Sequence, residues 1–583
     1  MRLVLAIISF ALAALMMGYG IAQKTILLGD DHLTAKLETT SEAPITIIDG
    51  AVLNTFDRKQ TIAVSGAESN FAAYGRTSDI MAWVGDASHN VVSFDPETND
   101  FTSKLVEGTE SEVPDPSGSD LWVADFREEK TLDFTVDVPS DISLIIVADG
   151  IEPAPSDVSV TWPIDNSTPW AFPLLIGGAF LLLVGLVFLL LAIHHVRKAR
   201  GPRRKQTKLP RVPKPPAYRA ITSPKAGTPV VAGRGRRGRG FIALPTVLVG
   251  ALLLGGCTAE PMVATDSTAT ALAASEEDAA EGGIPAVTVP QAKRIVARVA
   301  ADVEAADAAG DATLLANRMD GPALALRTAN YKIRTVDSAV PLPAPIPSEP
   351  VRITLPQKND AWPRTVFVVL QDEVDATVAP TALMLIQDSP RDQYKVHYAI
   401  QLEPGAVIPD VAPANVGTFR LAPDNQPRLL SVAPDTVGVN YADVLMNDVD
   451  SEFVDQFDTE SDLLRALVGR DAKQVRISKI PPTASLTFAT TVGTGQIIAL
   501  ATNDGGAIVS FSLNETETIS PVEQGAAVTA PGQVAALLGK ALSTKGITAM
   551  YSDQLLFYVP PATIGGKIIL LGYSQGLMAA VEL

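Results

Sequence analysis

AFPLLIGGAFLLLVGLVFLLLAI, residues 171–193, runs for 23 positions without a charged side chain. A helix rises 1.5 Å per residue, so about 20 apolar residues cross the hydrocarbon core of a bilayer. The stretch is therefore read as a transmembrane helix, approached by Trp162 and Trp170, whose rings suit the headgroup layer. The segment after it sets the orientation. From His194 to Gly240 there are 15 Lys and Arg and no Asp or Glu, in a chain whose formal charge is −19. Positive residues are retained on the cytoplasmic side, which predicts a basic cytoplasmic loop at 194–240 and an exported segment before residue 171. Anionic lipid headgroups are the expected partner of this loop. Nucleic acid is not expected, because Tyr218 is the one aromatic residue there to stack on a base.

Toward the N-terminus, residues 1–22 combine Arg2 with an apolar run ending in small residues, and read as a signal peptide or, uncleaved, a signal anchor. Residues 23–166 show short alternating runs, such as Val158, Val160 and Trp162, or Leu132, Phe134 and Val136. Period-two alternation broken by polar turns predicts an all-β sandwich domain. The stretches around Phe71, Tyr74 and Trp83 offer aromatic residues for a ligand surface or, more simply, for its core.

Residues 241–256 form an apolar run of 16 ending Leu254-Gly255-Gly256-Cys257. It resembles the lipobox of bacterial lipoproteins, with a basic lead at residues 234–239, an apolar core and small residues before the cysteine. The resemblance implies that Leu254, Gly255 and Gly256 are recognised by the lipoprotein signal peptidase and that Cys257 carries the lipid. Gly255 departs from the commoner alanine or serine, and the motif is internal rather than N-terminal. The alternative is a second span with a cysteine at its outer end. Cys257 is the chain's one cysteine, so no intramolecular disulfide and no cysteine-based zinc cluster forms. Residues 258–286 are small and acidic and read as a flexible tether.

Beyond the tether, helical periodicity precedes strands twice, predicting α+β domains at 287–430 and 431–583. That order resembles tandem NTF2-like or cystatin-like domains. The full layout, with Tyr74-Gly75-Arg76, Ala82-Trp83-Val84-Gly85 and the Leu254–Cys257 motif, resembles actinobacterial envelope membrane proteins. The resemblance implies localisation at the cell membrane, with 23–166 and 258–583 exported, and brings no activity with it.

Chemistry-bearing motifs are few. Gly572-Tyr573-Ser574-Gln575-Gly576 spells the G-x-S-x-G of a nucleophile elbow, but the residues given after Ser574 contain Glu582 and neither the aspartate nor the histidine that follows such a serine in α/β-hydrolases. His397 is the one histidine in the same half, with Asp388 or Asp392 to orient it. The simpler reading is a turn closing a final hairpin. Asp448-Val449-Asp450-Ser451-Glu452 starts like a calcium loop, yet has Phe453 where glycine is needed and Thr459 at the twelfth position. Gly493-Thr494-Gly495 lacks the later glycine of a nucleotide loop, and Asp30-Asp31-His32 has no further ligand beside it. No catalytic set, cofactor or metal is expected. The sequence reads as a non-enzymatic envelope protein that binds or scaffolds surface proteins or glycans. A sensor signalling through the basic loop is the alternative, and a serine ester hydrolase at Ser574 the remote one.

Overall fold

The computed structural model describes residues 1–38, 42–56, 59–199, 285–371, 378–424 and 429–583. Along the chain, helix α1 (Arg2–Thr25) is followed by β1 (His32–Glu38), β2 (Ile45–Ile48), α2 (Gly50–Leu53), β3 (Gln60–Arg76), α3 (Thr77–Val84), β4 (His89–Asp95), β5 (Asp100–Val106), β6 (Ala124–Val136), β7 (Ile142–Val147), β8 (Asp157–Pro163) and α4 (Ala171–Ala199). After residue 284 come α5 (Val289–Ala309), α6 (Ala312–Leu315), α7 (Gly321–Val336) and strands β9 (Val351–Pro356), β10 (Arg364–Leu370), β11 (Thr381–Gln387), β12 (Lys395–Leu402) and β13 (Arg420–Leu421). The last part holds α8 (Pro434–Asn447), α9 (Leu463–Val468), α10 (Arg470–Ser478), β14 (Ala484–Val492), β15 (Ile498–Ala501), β16 (Ala507–Pro521), β17 (Val528–Thr529), α11 (Gly532–Leu538), β18 (Leu542–Ser543), β19 (Ile547–Val559) and β20 (Ile569–Glu582). The chain divides into two compact units, one containing α1 and α4, the other residues 31–164 with the C-terminal half.

In the first unit α1 and α4 are both long and apolar enough to cross a membrane. They pack antiparallel. Ala6, Ala13 and Gly20, seven residues apart, are the buried positions of α1. Small residues let the two backbones approach where lipid gives no hydrophobic drive between helices. A Cβ on Gly20 would lie 3.1 Å from the Ala171 carbonyl, and one on Gly178 only 2.5 Å from Met17 Cγ.

In the second unit, residues 31–164 form one eight-stranded sheet that curls around its own core, with β3 as the strand shared by β8, β7 and β6. The first half of β3 pairs with β8, the second half with β7, and β6 follows its other edge. The switch falls at the register shift between Ser65 and Ser69, where Gly66 takes φ +100°. A bulge with a left-handed residue bends a strand across a corner at little cost, which glycine alone permits cheaply. Leu37, Ile62, Leu132, Phe134, Ile146, Val160 and Trp162 fill the core that the sheet encloses. The alternations in the sequence thus point inward as expected. Two features depart from a purely antiparallel β-sandwich. β2 and β4 pair parallel, and Trp83 sits in helix α3 with Ile80 and Val84, packed on the outer face of β2, β3 and β7. The i, i+3, i+4 spacing of those three residues is helical, but a run of eight residues is too short to stand out.

The C-terminal half folds around one ten-stranded antiparallel sheet, in the order β13-β15-β16-β19-β20-β12-β11-β10-β9 with β14 beside β16. Helices do precede strands twice. α5 begins at a capping box of Thr288 and Gln291 with Pro290 in its first turn, and ends at Gly310 in the left-handed conformation. Its Val296, Val299 and Val303 cover β10, β11 and β12, while Val437, Tyr441 and Leu445 of α8 cover β16 and β19. The two strand sets merge through β12 and β20, and the opposite face carries one apolar cluster from both, with Phe367, Met384, Tyr398, Ile508 and Leu556. Residues 31–164 pack against this half through α3, Leu121 and Trp122, with Trp362 from the C-terminal half joining their apolar cluster.

Candidate functional site

The junction of β12 and β20 lines a cavity of about 490 Å³. The strands pair only at Gln401 with Tyr573 and Leu402 with Gly572, then diverge. Divergence leaves backbone donors of β12 without a facing strand, and such donors take other partners. Two side chains supply them. Ser574 Oγ accepts from the Gln401 N–H at 3.2 Å, and Gln554 Oε1 accepts from the Ala399 N–H at 3.0 Å.

The G-x-S-x-G motif is thereby accounted for by packing. Residues 574–576 lie within β20, opposite Gln554, Asp553 and Ser552 of β19, so the expected terminal turn is a continuous strand. The reason is length: the hairpin partner is β19, thirteen residues long, and β20 runs its whole course beside it. A Cβ on Gly572 would meet the Gln401 carbonyl at 2.4 Å, and one on Gly576 would meet Leu326 Cγ at 2.9 Å. The glycines admit a neighbouring strand and a crossing helix. His397 faces elsewhere: Nδ1 lies 2.8 Å from Asp320 Oδ1, and Nε2 accepts from the Gln496 N–H at 3.1 Å. With both ring nitrogens engaged, it serves as a brace between β12 and the segment before β15.

The cavity wall is apolar on the helix side, from Ala323 and Leu326 of α7 and Leu463 and Leu467 of α9. Polar groups converge at the strand side: Gln401, Glu403, Gln554, Tyr573, Ser574 and Gln575. Glu403 is buried, and its carboxyl is pushed up to about 7, first by burial and then by the nearby Asp462; the Leu463 N–H, donating to Oε1 at 3.1 Å, opposes this. Asp462 caps α9 by accepting from the Arg465 N–H at 2.8 Å and takes the Tyr441 hydroxyl at 2.8 Å; burial raises its carboxyl as well. Arg327 on the cavity wall is neutralised by Asp307. A carboxyl near its midpoint at neutral pH, amide side chains, a phenol and an apolar wall suit hydrogen-bonded retention of a small organic molecule.

The other sequence candidates separate. Asp448 and Asp450 are taken up by Arg465 and Arg470 rather than converging on one point, and Thr459 contributes its carbonyl to Arg465. His32 lies 2.6 Å from Asp31 on the surface. Among the described residues no group of three His, Cys, Asp or Glu is placed to hold a metal. Leu254, Gly255, Gly256 and Cys257, the basic loop after Ala199 and the tether to residue 284 lie outside the described residues. Sequence reading did not reach Glu403 or Gln554. A glutamate after Leu402 at the end of a strand carries no mark until the neighbouring strand is placed beside it.

A family described as a domain of unknown function matches residues 284–582, the C-terminal sheet and its helices. No curated protein and no solved structure matches the chain.

Proposed function

The chain belongs to that family, DUF8094, and from this starting point we propose that it is a non-enzymatic, membrane-anchored binding or scaffolding protein of the cell envelope, retaining a small ligand in the cavity between β12 and β20. One observation carries the anchoring part. Residues 31–164 and 285–583 make one compact unit although α4 lies between them in sequence. A body cannot straddle a bilayer, so if α4 crosses, the chain crosses back before residue 285. Residues 241–256 are the apolar run available in that interval. This supports the lipobox or second-span reading of the segment ending at Cys257, with both outer portions exported and the basic stretch 194–240 inside, as in the actinobacterial envelope proteins it resembles. The packing of α1 on α4 supports an N-terminal helix that is kept as an anchor.

The test is labelling from outside. In a Cys257→Ser background, single cysteines replace the exposed Glu68 and Glu523. Both are expected to react with a membrane-impermeant maleimide in intact cells. Reaction of either one only after lysis overturns the proposal.

A further inference from the structure

We propose that residues 31–164 and residues 285–583 are non-covalent partners that stay assembled after the chain is cut between them. The inference rests on their shared surface and is independent of how the segment around Cys257 is read.

The surface is built like a specific protein–protein interface. Trp83 and Trp122 lie with ring centroids 5.6 Å apart and planes tilted by 60°, in an apolar cluster against which Trp362 packs. Around them, carboxylates of one partner meet arginines of the other. Asp120, whose side chain is fully buried, accepts from Arg318 Nη1 at 2.6 Å and from the Tyr394 N–H at 2.8 Å. Asp79, equally buried, is held by Arg76 from its own side at 2.8 Å and by Arg364 from the other at 2.7 Å; Arg364 also lies over the Trp362 ring at 3.7 Å. At the rim, Arg391 bonds Glu110 at 2.8 Å and the carbonyls of Trp83 and Val84 at 2.8 and 3.0 Å. α5 adds Gln291 to the Leu121 carbonyl at 3.0 Å and Arg294 to that of Trp122 at 2.7 Å.

Aromatic and arginine anchors in a desolvated centre are what carry binding energy in stable complexes. Asp120 has its closest partners across the joint, so separation would strand it, while Asp79 would keep Arg76 but leave Arg364 without it; a stranded buried charge is among the costliest defects a fold can contain. The single cysteine of the chain means that no disulfide can do this work. The covalent link through residues 165–284 contributes only local concentration.

The experiment uses the full chain, Cys257→Ser, with a site-specific protease sequence inserted in residues 258–283 and an affinity tag after Leu583, purified in detergent. The cut leaves the apolar segments on the untagged piece alone, so a shared micelle cannot mimic assembly. The untagged piece is expected to remain on the resin and to co-elute in size exclusion. Asp120→Ala is expected to speed its release by about two to three orders of magnitude, the scale set by breaking a buried pair. Arg391→Ala, at the rim and compatible with folding of both pieces, is expected to speed it about threefold to tenfold. Separation of the wild-type pieces during the column run overturns the proposal. So does co-elution that both substitutions leave unchanged, because the joint would then lie elsewhere.

Discussion

Asp553 lies at the centre of β19 with no exposed surface, and neither carboxylate oxygen meets a well-formed hydrogen bond. Burial and the neighbouring Glu515 push its carboxyl up to about 7, with Gln575 and Lys473 offsetting only part of this. Lys473 is already committed to Glu515 at 2.9 Å. An unfolded aspartate titrates near 3.8, so between about pH 4 and pH 7 the folded chain holds a proton that the unfolded chain has lost. Stability contributed at this site is therefore greatest below pH 4 and falls as pH rises to 7. Each pH unit is worth about 1.4 kcal/mol, giving a cost on the order of 4 kcal/mol above pH 7 and about 1.6 kcal/mol at pH 5. Asp553→Asn removes the titration and keeps the shape, at about 1 kcal/mol for an amide left without full partners. The variant is expected to be more stable than the parent by roughly 3 kcal/mol at pH 8, and less stable by about 1 kcal/mol at pH 4. Urea unfolding of the full chain in detergent, followed by tryptophan fluorescence at both pH values, measures the difference. Other titrating groups largely cancel in it. A variant-minus-parent difference that stays constant from pH 4 to pH 8 would refute the reasoning.

The same geometry yields three further expected outcomes. Gly576→Val drives a branched side chain into Leu326, 2.9 Å from where its Cβ would sit; it should lower stability by about 1–3 kcal/mol, whereas Ser574→Ala, losing one acceptor for the Gln401 N–H, should cost about 1 kcal/mol. Paired melting curves decide it, and a larger loss for Ser574→Ala would count against a packing role for the motif. Asp79→Ala removes the buried carboxylate that Arg76 and Arg364 share and leaves them only the exposed Asp360; it should cost about 3–5 kcal/mol, while Asp360→Ala should cost under about 1 kcal/mol; equal effects in denaturant titrations would dismiss the distinction. Intact mass measurement of the purified protein should find residues 1–22 retained, since α1 packs on α4 through Ala6, Ala13 and Gly20; a mature chain beginning at Gln23 would show that the pair is not kept.

The parts legible in the sequence were those governed by local periodicity. An unbroken apolar run gave α4 its place, alternation gave β6 and β8 their inward faces, and Pro290 and Gly310 mark where α5 starts and ends, because each signal lies within a few residues along the chain. Asn503-Asp504-Gly505-Gly506 likewise joins β15 to β16 as a hairpin should. Ser574 was misplaced into a turn because a small-polar-glycine run reads the same in a turn and in a strand that must admit a crossing helix.

Residue order alone thus settles most of the elements and the two apolar helices, through spacing and the free energy of removing apolar surface from water. Long-range packing settles what meets across wide separations. It joined β12 to β20 and so opened the cavity beside Glu403. It also set Asp120 against Arg318, 198 residues away. Such pairings carry no periodic mark, because a buried charge is tolerated anywhere in a sequence provided the fold delivers its partner, and only the completed packing shows whether it does.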